Sequence, residues 1–378
     1  MAAILVAGIL MGLAGMIAGP ASAAPGAPAA SARAAVPAAT SYSAAGALSE
    51  VAAAANNNAW AVGYSGSTVS PKILMLHWNG SAWSKVAAKQ LKLNGSAGQL
   101  SAITVVNAKD AYAVGYTGSP LGTTRTLLLH WNGSTWGTVT SPTPVARGAL
   151  TAVTVTAKGG WAVGYYATGP AAVDYWTLAF RLSGAKWSRV SSKTDNAAFT
   201  GVAVTSAGIT WATANAVGMI TGGVAEWKGS AWSWLHSFPV QGQYHALNAI
   251  AAGPRGIAFA VGANGNVPET PALSMEWNGH AWVKAAVSAP LASSLDAVTF
   301  APGGAAWAAG STELGGADPM IVHWNGHEWT RVAAPGKNAR LDGIGFSAAK
   351  YGWAVGSTGL ASGSTKTLIL HWNGGSWK

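Results

Sequence analysis

The sequence predicts an all-β fold: a seven-bladed β-propeller with four antiparallel strands per blade. Three observations carry that prediction. A Trp-centred phrase recurs seven times, a two-residue hairpin signal follows it in most copies, and the composition combines 20 Trp and 49 Gly with only 9% charged residues. Disordered chains show the opposite balance, few aromatics and much charge.

The repeat is the strongest of the three. Trp-Ala-Val-Gly-Tyr at 60–64 is followed by Leu-His-Trp-Asn-Gly-Ser-Ala-Trp at 76–83, and near-copies continue to the last residue. The second Trp of each copy is Trp83, Trp136, Trp187, Trp232, Trp282, Trp329 and Trp377, at steps of 53, 51, 45, 50, 47 and 48 residues. The opening aromatic is Trp60, Tyr112, Trp161, Trp211, Phe259, Trp307 and Trp353. A self-similar period of this length marks stacked supersecondary units.

Within each copy the elements follow in order. A Leu-x-x-Val pattern, as in Leu100-Ser-Ala-Ile103, predicts the first strand. A short turn such as Asn56-Asn57-Asn58 follows, then the Trp-Ala-Val-Gly phrase as the second strand. A loop rich in Gly, Ser, Thr and Pro comes next, at 65–72, 117–125, 166–175, 263–271, 311–319 and 357–366. An apolar run such as 73–78 predicts the third strand. Asn-Gly at Asn79, Asn132, Asn278, Asn325 and Asn373 turns it back, a two-residue hairpin signal. The fourth strand starts at the second Trp. Lys85, Arg189, Lys284 and Arg331 lie two places after that Trp, where charge blocks edge-to-edge pairing of a rim strand. Such a sheet has two apolar faces, and stacking copies around an axis covers both. Blades then begin near residues 48, 100, 150, 199, 247, 295 and 341, and the propeller fills 47–378.

The Val-Gly-Tyr or Val-Gly-Ser end of the second strand, followed by a third strand, a turn and a Trp, resembles the kelch repeat over about 48–378. That resemblance implies a propeller of about this period. The kelch Gly-Gly pair is a single Gly here. The Trp-Asn-Gly layout also resembles Trp-rich bacterial propeller lectins, but no sugar-site signature of that family maps onto these residues.

The N-terminus reads as an address. Residues 1–17 are almost wholly apolar, and Ala21-Ser22-Ala23 is an A-x-A cleavage site, so 1–23 is expected to be a signal peptide and the mature chain secreted. No Lys or Arg precedes the apolar run, a departure from the usual pattern, and the run is short for a membrane span. Residues 24–46 are an Ala/Pro/Ser-rich linker. The last copy stops at Lys378, so residues 36–43 are expected to supply the missing rim strand and close the ring.

Composition narrows the chemistry. With no Cys, disulfides, thiol nucleophiles and Cys-ligated metals are excluded, and packing alone must hold the fold. The net charge is +10, but Lys and Arg are scattered, which argues against a nucleic-acid partner. No G-x-S-x-G, H-E-x-x-H or phosphate-loop motif occurs. No cofactor or metal is expected, and the chain is expected to be a monomer.

Candidate sites follow from the repeat. The residue after each first-strand Leu or Phe is polar in every copy: Ser49, Ser101, Thr151, Thr200, Asn248, Asp296 and Asp342. If first strands line the channel, these form a ring at its mouth, with Arg147 and Arg340 just outside. Such a ring could hold a sugar, a cation or a peptide, or it could satisfy backbone groups where strands begin. Tyr165, Tyr166, Asp174, Tyr175 and Trp176 form a second binding candidate in the irregular third copy. His77, His130, His323 and His371 share one repeat position, too far apart in a ring to act together, and read as structural. The favoured function is a non-enzymatic extracellular binding protein whose partner is a glycan or another protein. The alternatives are a secreted lyase or hydrolase, with Asp296 and Asp342 as its only carboxylate pair, and a structural or adhesive envelope component.

Overall fold

The computed structural model describes residues 42–378 except 92, 94–96, 143–146, 169–173, 193–195, 218–220, 236–244, 265–271, 313–317 and 361–363. The expected signal peptide and most of the expected linker lie outside the described residues. No α-helix occurs among the described residues, and seven blades of antiparallel strands are arranged as a β-propeller. Blade 1 consists of Gly46–Ala55, Asn58–Ser67, Ser70–Trp78 and Trp83–Lys85 in that spatial order, first strand innermost. The other blades repeat this order, except that in blade 7 the fourth strand shrinks to a bridge between Trp372 and Trp377.

Two boundaries differ from the sequence reading. The second and third strands run on past the expected loop starts. Ser65 pairs with Lys72 and Ser67 with Ser70 in blade 1, and Tyr166 pairs with Trp176 in blade 3. Polar residues there keep the ladder because antiparallel pairing needs only backbone groups. The rim edge of blade 6 is also not free. Ala286–Val287, in the link from blade 5, lies parallel to Glu328–Val332 as a fifth strand.

Each first strand carries a bulge at one fixed place. Leu48 pairs with Gly63 and Glu50 with Val62, so Ser49 is an extra residue. Ser101, Thr151, Thr200, Asn248, Asp296 and Asp342 are extra in the same way. The bulge explains the Gly of the Val-Gly phrase. A Cβ on Gly63 would lie 2.1 Å from the Ala47 carbonyl oxygen, and one on Gly115 2.0 Å from that of Gln99. Blade 4 carries Ala214 at this position, and nothing in the structure explains its tolerance.

The core lies between blades. The second-strand aromatic of each blade meets the third- and fourth-strand Trp of the next: Trp60 packs on Trp131 and Trp136, Trp161 on Trp227 and Trp232, and Trp211 on Trp277 and Trp282. Phe259 with Trp324 and Trp329, and Trp307 with Trp372 and Trp377, continue the series. Trp353 of blade 7 then packs on Trp78 and Trp83 of blade 1, so the closing interface is built like the others. Blade 3 has Arg181 and Leu182 where the others have His or Glu and Trp. There Trp187 meets Tyr112, and the Arg181 guanidinium lies 5.7 Å from the Trp161 ring centre. Of the two repeated aromatic positions read from the sequence, only Tyr112 and Trp232 are not fully buried.

Closure differs in detail from the expectation of a rim strand from residues 36–43. Residues 36–41 lie outside the described residues. From residue 42 on, the chain crosses the start of blade 7's third strand: Thr367 N–H donates to the Ala44 carbonyl, Gly46 N–H donates to that of Thr365, and Ala45 bridges Lys366. Ala97 bridges Lys72 in the same manner at the join of blades 1 and 2. The N-terminal approach thus repeats an interior linker.

Candidate functional site at the channel mouth

Strand direction gives the two faces different characters. First strands begin on one face, which also receives the second-to-third hairpins and the inter-blade links; we call it the loop face. The turns between first and second strands, and the Asn-Gly turns, lie on the other, the turn face. The bulged polar residues sit near the loop-face end of the first strands.

Half of that ring is stitched to neighbouring blades. Thr151 Oγ1 lies 2.8 Å from the Phe199 carbonyl of blade 4, and Thr200 Oγ1 donates to the Leu247 carbonyl of blade 5 at 2.7 Å. Asn248 Nδ2 donates to the Leu295 carbonyl of blade 6 at 3.1 Å and to Asp296 Oδ1 at 2.9 Å. The inner strand has no further neighbour, so its carbonyls need such partners. Ser49 Oγ accepts from Gln99 Nε2 at 3.3 Å, and Ser101 is partly exposed in its place between blades 1 and 3.

Blades 6 and 7 replace hydroxyls by charge. Arg340 places one terminal guanidinium nitrogen 2.6 Å from Asp342 Oδ1 and 3.5 Å from Asp296 Oδ2. Sharing one nitrogen keeps these two oxygens within about 6 Å, inside the range that paired-carboxylate hydrolysis uses. Ser294 Oγ lies 3.2 Å from both Asp296 oxygens. Burial outweighs the attraction of Arg340 and, with Asp296 adding repulsion, lifts the Asp342 carboxyl to about 6. The Arg340 guanidinium is held firmly protonated, chiefly by Asp342. Arg147, expected beside this ring, lies in the link that enters blade 3. It has φ of 58°, its N–H donating to the Thr124 carbonyl and its own carbonyl accepting from Ala167.

Several mouth residues were not singled out from the sequence. Glu50 occupies a first-strand position held by Ala102, Ala152, Gly201, Ala249, Ala297 and Gly343 in the other blades. It lines the channel yet is densely surrounded by protein. Its Oε1 accepts from Val51 N–H at 2.9 Å, and Ile344 N–H of blade 7 also bonds it. Burial raises its carboxyl to about 8, with Asp342 adding repulsion against those two bonds. A side chain at Gly343 would collide with Glu50, which is why that neighbour is small.

The residue after Val-Gly forms an arc of phenols. Tyr64, Tyr116 and Tyr165 follow one another in blades 1, 2 and 3. Burial raises all three phenols, Tyr116 to about 12. Next in order, Asp342 raises Tyr64, Tyr64 raises Tyr116, and Tyr175 and Tyr116 raise Tyr165. Tyr175 stands 5.8 Å from Tyr165, ring centre to ring centre. The third-copy cluster therefore divides. Tyr165 and Tyr175 pack together, with Tyr175 buried. Tyr166 and Trp176 form a cross-strand pair on the opposite sheet face, where the Arg189 guanidinium lies 4.6 Å over Tyr166 and Trp176 Nε1 donates to Thr168 Oγ1 at 3.1 Å. Asp174 is exposed at the strand end.

The four repeat histidines pair across strands with the opening aromatics. His77 stacks on Trp60 at 4.0 Å and contacts Asn58 Oδ1 at 2.9 Å, while His130 stacks on Tyr112 and contacts Asp110 Oδ1 at 2.9 Å. His323 and His371 pack on Trp307 and Trp353. Among the described residues no three His, Asp or Glu gather as a metal site. Below the mouth, a cavity of about 330 Å³ follows the channel between first-strand residues such as Ile103, Val153, Ile250 and Phe300.

No protein-family model matches the sequence, and no curated protein matches it. Solved structures match over most of its length. A YCF48 structure bound to D1 peptide is 13% identical, with a TM-score of 0.54, and the match covers 88% of this chain and 94% of that one. The WD40 propeller domain of Doa1 is 10% identical, with a TM-score of 0.56 over 86% and 92%. An ulvan lyase of a polysaccharide lyase family, bound to -[GlcA(1-4)Rha3S]-, is 10% identical, with a TM-score of 0.54 over 88% and 96%. At such identities the likeness concerns the fold.

Proposed function

We propose that this protein is a secreted, non-enzymatic binding propeller of kelch-like repeat type, and that its partner, a glycan or another extracellular protein, seats on the loop-face mouth. One observation carries the reading: near the Arg340, Asp296 and Asp342 cluster, two tyrosines at one repeat position, Tyr64 and Tyr165, are partly exposed on either side of the buried Tyr116. Phenol rings offer flat apolar area with a polar tip, suited to sugar faces and to peptide side chains. The adjoining ions and Asn248 supply directional hydrogen bonds. Propellers of this shape include one bound to a peptide and one bound to an acidic saccharide. A lyase or hydrolase is the second reading, favoured by the short Asp296–Asp342 separation. Against it, Arg340 pairs with one oxygen of each carboxylate, which favours their charged, hydrogen-bonded resting form.

The test applies residues 24–378 to glycan and peptide arrays. Binding that falls at least tenfold in Tyr64→Ala and Tyr165→Ala supports the reading. Failure to bind either array, or binding untouched by both substitutions, overturns it. Bond cleavage in the bound glycan, abolished by Asp342→Asn, would replace it with the second reading.

A further inference from the structure

We propose that the cavity beneath the mouth binds a small hydrophilic organic ammonium ion, with Glu50 as its counter-ion. The cavity holds about 330 Å³ and follows the channel from Glu50 toward the turn face. Every blade contributes first-strand residues to its wall. Only blade 1 contributes from the level of Glu50; the others begin one residue later, with residues such as Ile103 and Ile250. The carboxyl therefore stands at the loop-face end of the cavity.

The wall carries one kind of charge. Glu50 is the only ionisable side chain among the lining residues, and no Lys, Arg or His joins it there. Among the described residues Glu50 is in no ion pair. The mouth guanidinium, Arg340, is held by Asp342 and Asp296. Burial raises the Glu50 carboxyl, Asp342 adds repulsion, and a bound ammonium would offset both. An anion in the cavity would meet the same repulsion with no cation in the wall to balance it.

The rest of the wall offers hydrogen bonds. Val51 N–H donates to Glu50 Oε1, and Ile344 N–H bonds the same carboxyl, so these residues turn backbone groups into the channel. Val51 pairs with Ala61 and Ile344 with Ala354, and the matching residue of each other blade keeps that register, as Ile103 does with Ala113. Antiparallel pairing directs the N–H and C=O of one residue to the same side. The first strand is innermost, so each blade offers the channel an N–H and a C=O at this level. Thr104, Thr154 and Thr299 add half-buried hydroxyls one residue further on. An ammonium group has three donors and no acceptor, which a carboxylate and two neutral oxygens satisfy.

Size and donor set favour an organic ion over an inorganic one. A divalent metal ion asks for several oxygen ligands with more than one carboxylate, and among the described residues no three His, Asp or Glu gather. A volume of about 330 Å³ lies at the small end of pockets that hold organic ligands and exceeds what a bare ion fills. The inference does not rest on the mouth reading, since neither Tyr64 nor Tyr165 lines this cavity.

The test titrates residues 24–378 with ethanolamine at neutral pH and reads the heat. Saturable binding is expected, with none for ethylene glycol or acetate. Glu50→Gln keeps the size, removes the charge and should weaken binding at least tenfold. Ala251→Leu leaves the carboxyl in place, adds bulk to the cavity wall and should also weaken binding at least tenfold. Glu328→Gln removes an exposed charge outside the cavity and should change binding less than threefold. Thermal melting of the three variants close to that of the unsubstituted chain verifies folding. No binding of ethanolamine, binding untouched by Glu50→Gln and Ala251→Leu, or a preference for acetate would overturn the proposal. Potassium ions that displace ethanolamine at equal concentration would overturn the choice of an organic ion.

Discussion

Glu50 shows how much one side chain can impose on a repeat. Six blades place Ala or Gly at its position, and blade 1 places a half-buried carboxyl. Raised from 4.5 to about 8, it keeps in the folded chain a proton that the unfolded chain releases. Its favourable contribution is therefore complete below about pH 4.5 and is lost as pH rises toward about 8. Glu50→Gln should change stability little at pH 5 and increase it by about 1–3 kcal/mol at pH 9, read by denaturant unfolding at both values. Equal effects at the two pH values would show that the carboxyl does not bear this shift. The polar ring was legible because a period of about 50 residues aligns it, but its bulge geometry was not. Alternation of side chains along a strand does not reveal where one residue is extra. Tyr64, Tyr116 and Tyr165 also share a repeat position. Of these only Tyr165 was singled out, because Tyr64 and Tyr116 end a strand that reads as core, and Tyr116 is indeed buried.

At the scale of the element, the aromatic triads explain why no disulfide is needed. Each Trp of the fourth strand stands against the aromatic of the preceding blade, with interplanar angles of 89° for Trp60–Trp136 and 85° for Trp211–Trp282. Among the described residues, nine buried indole N–H groups, Trp136 and Trp282 among them, have no nitrogen or oxygen partner. Edge-to-face packing offers them ring faces as weak acceptors. Trp136→Ala removes contacts with Trp60 and Trp131 at once and should cost about 3–5 kcal/mol. The Asn-Gly turn is held by a smaller force. Asn132 Oδ1 accepts from Ser134 and Thr135 N–H at 3.0 and 2.9 Å, so Asn132→Ala should cost about 1 kcal/mol. Thermal melting of the two variants should preserve that order. The reverse order would mean that hairpins rather than inter-blade packing limit stability.

At the scale of the molecule, the ring closes twice over. Trp353 meets Trp78 and Trp83 as in interior interfaces, and residues 42–46 cross blade 7 as an interior linker does. The second device is separable. A chain starting at residue 47 loses the backbone bonds to Thr365 and Thr367, and it should melt about 2–5 °C below one starting at residue 41. Identical melting would show that aromatic packing alone closes the ring.

By itself the sequence determined the number of blades, the strands in each and the aromatics that fill the interfaces. Those features depend on local pattern repeated at a fixed period, and seven copies average out irregularity. Only the tertiary structure decided which polar residues meet. Arg340 lies two residues from Asp342 but 44 from Asp296, and Glu50 meets Ile344 across nearly the whole chain. Such encounters are set by ring closure and by the bulge that aims each side chain, and neither leaves a mark in the order of residues.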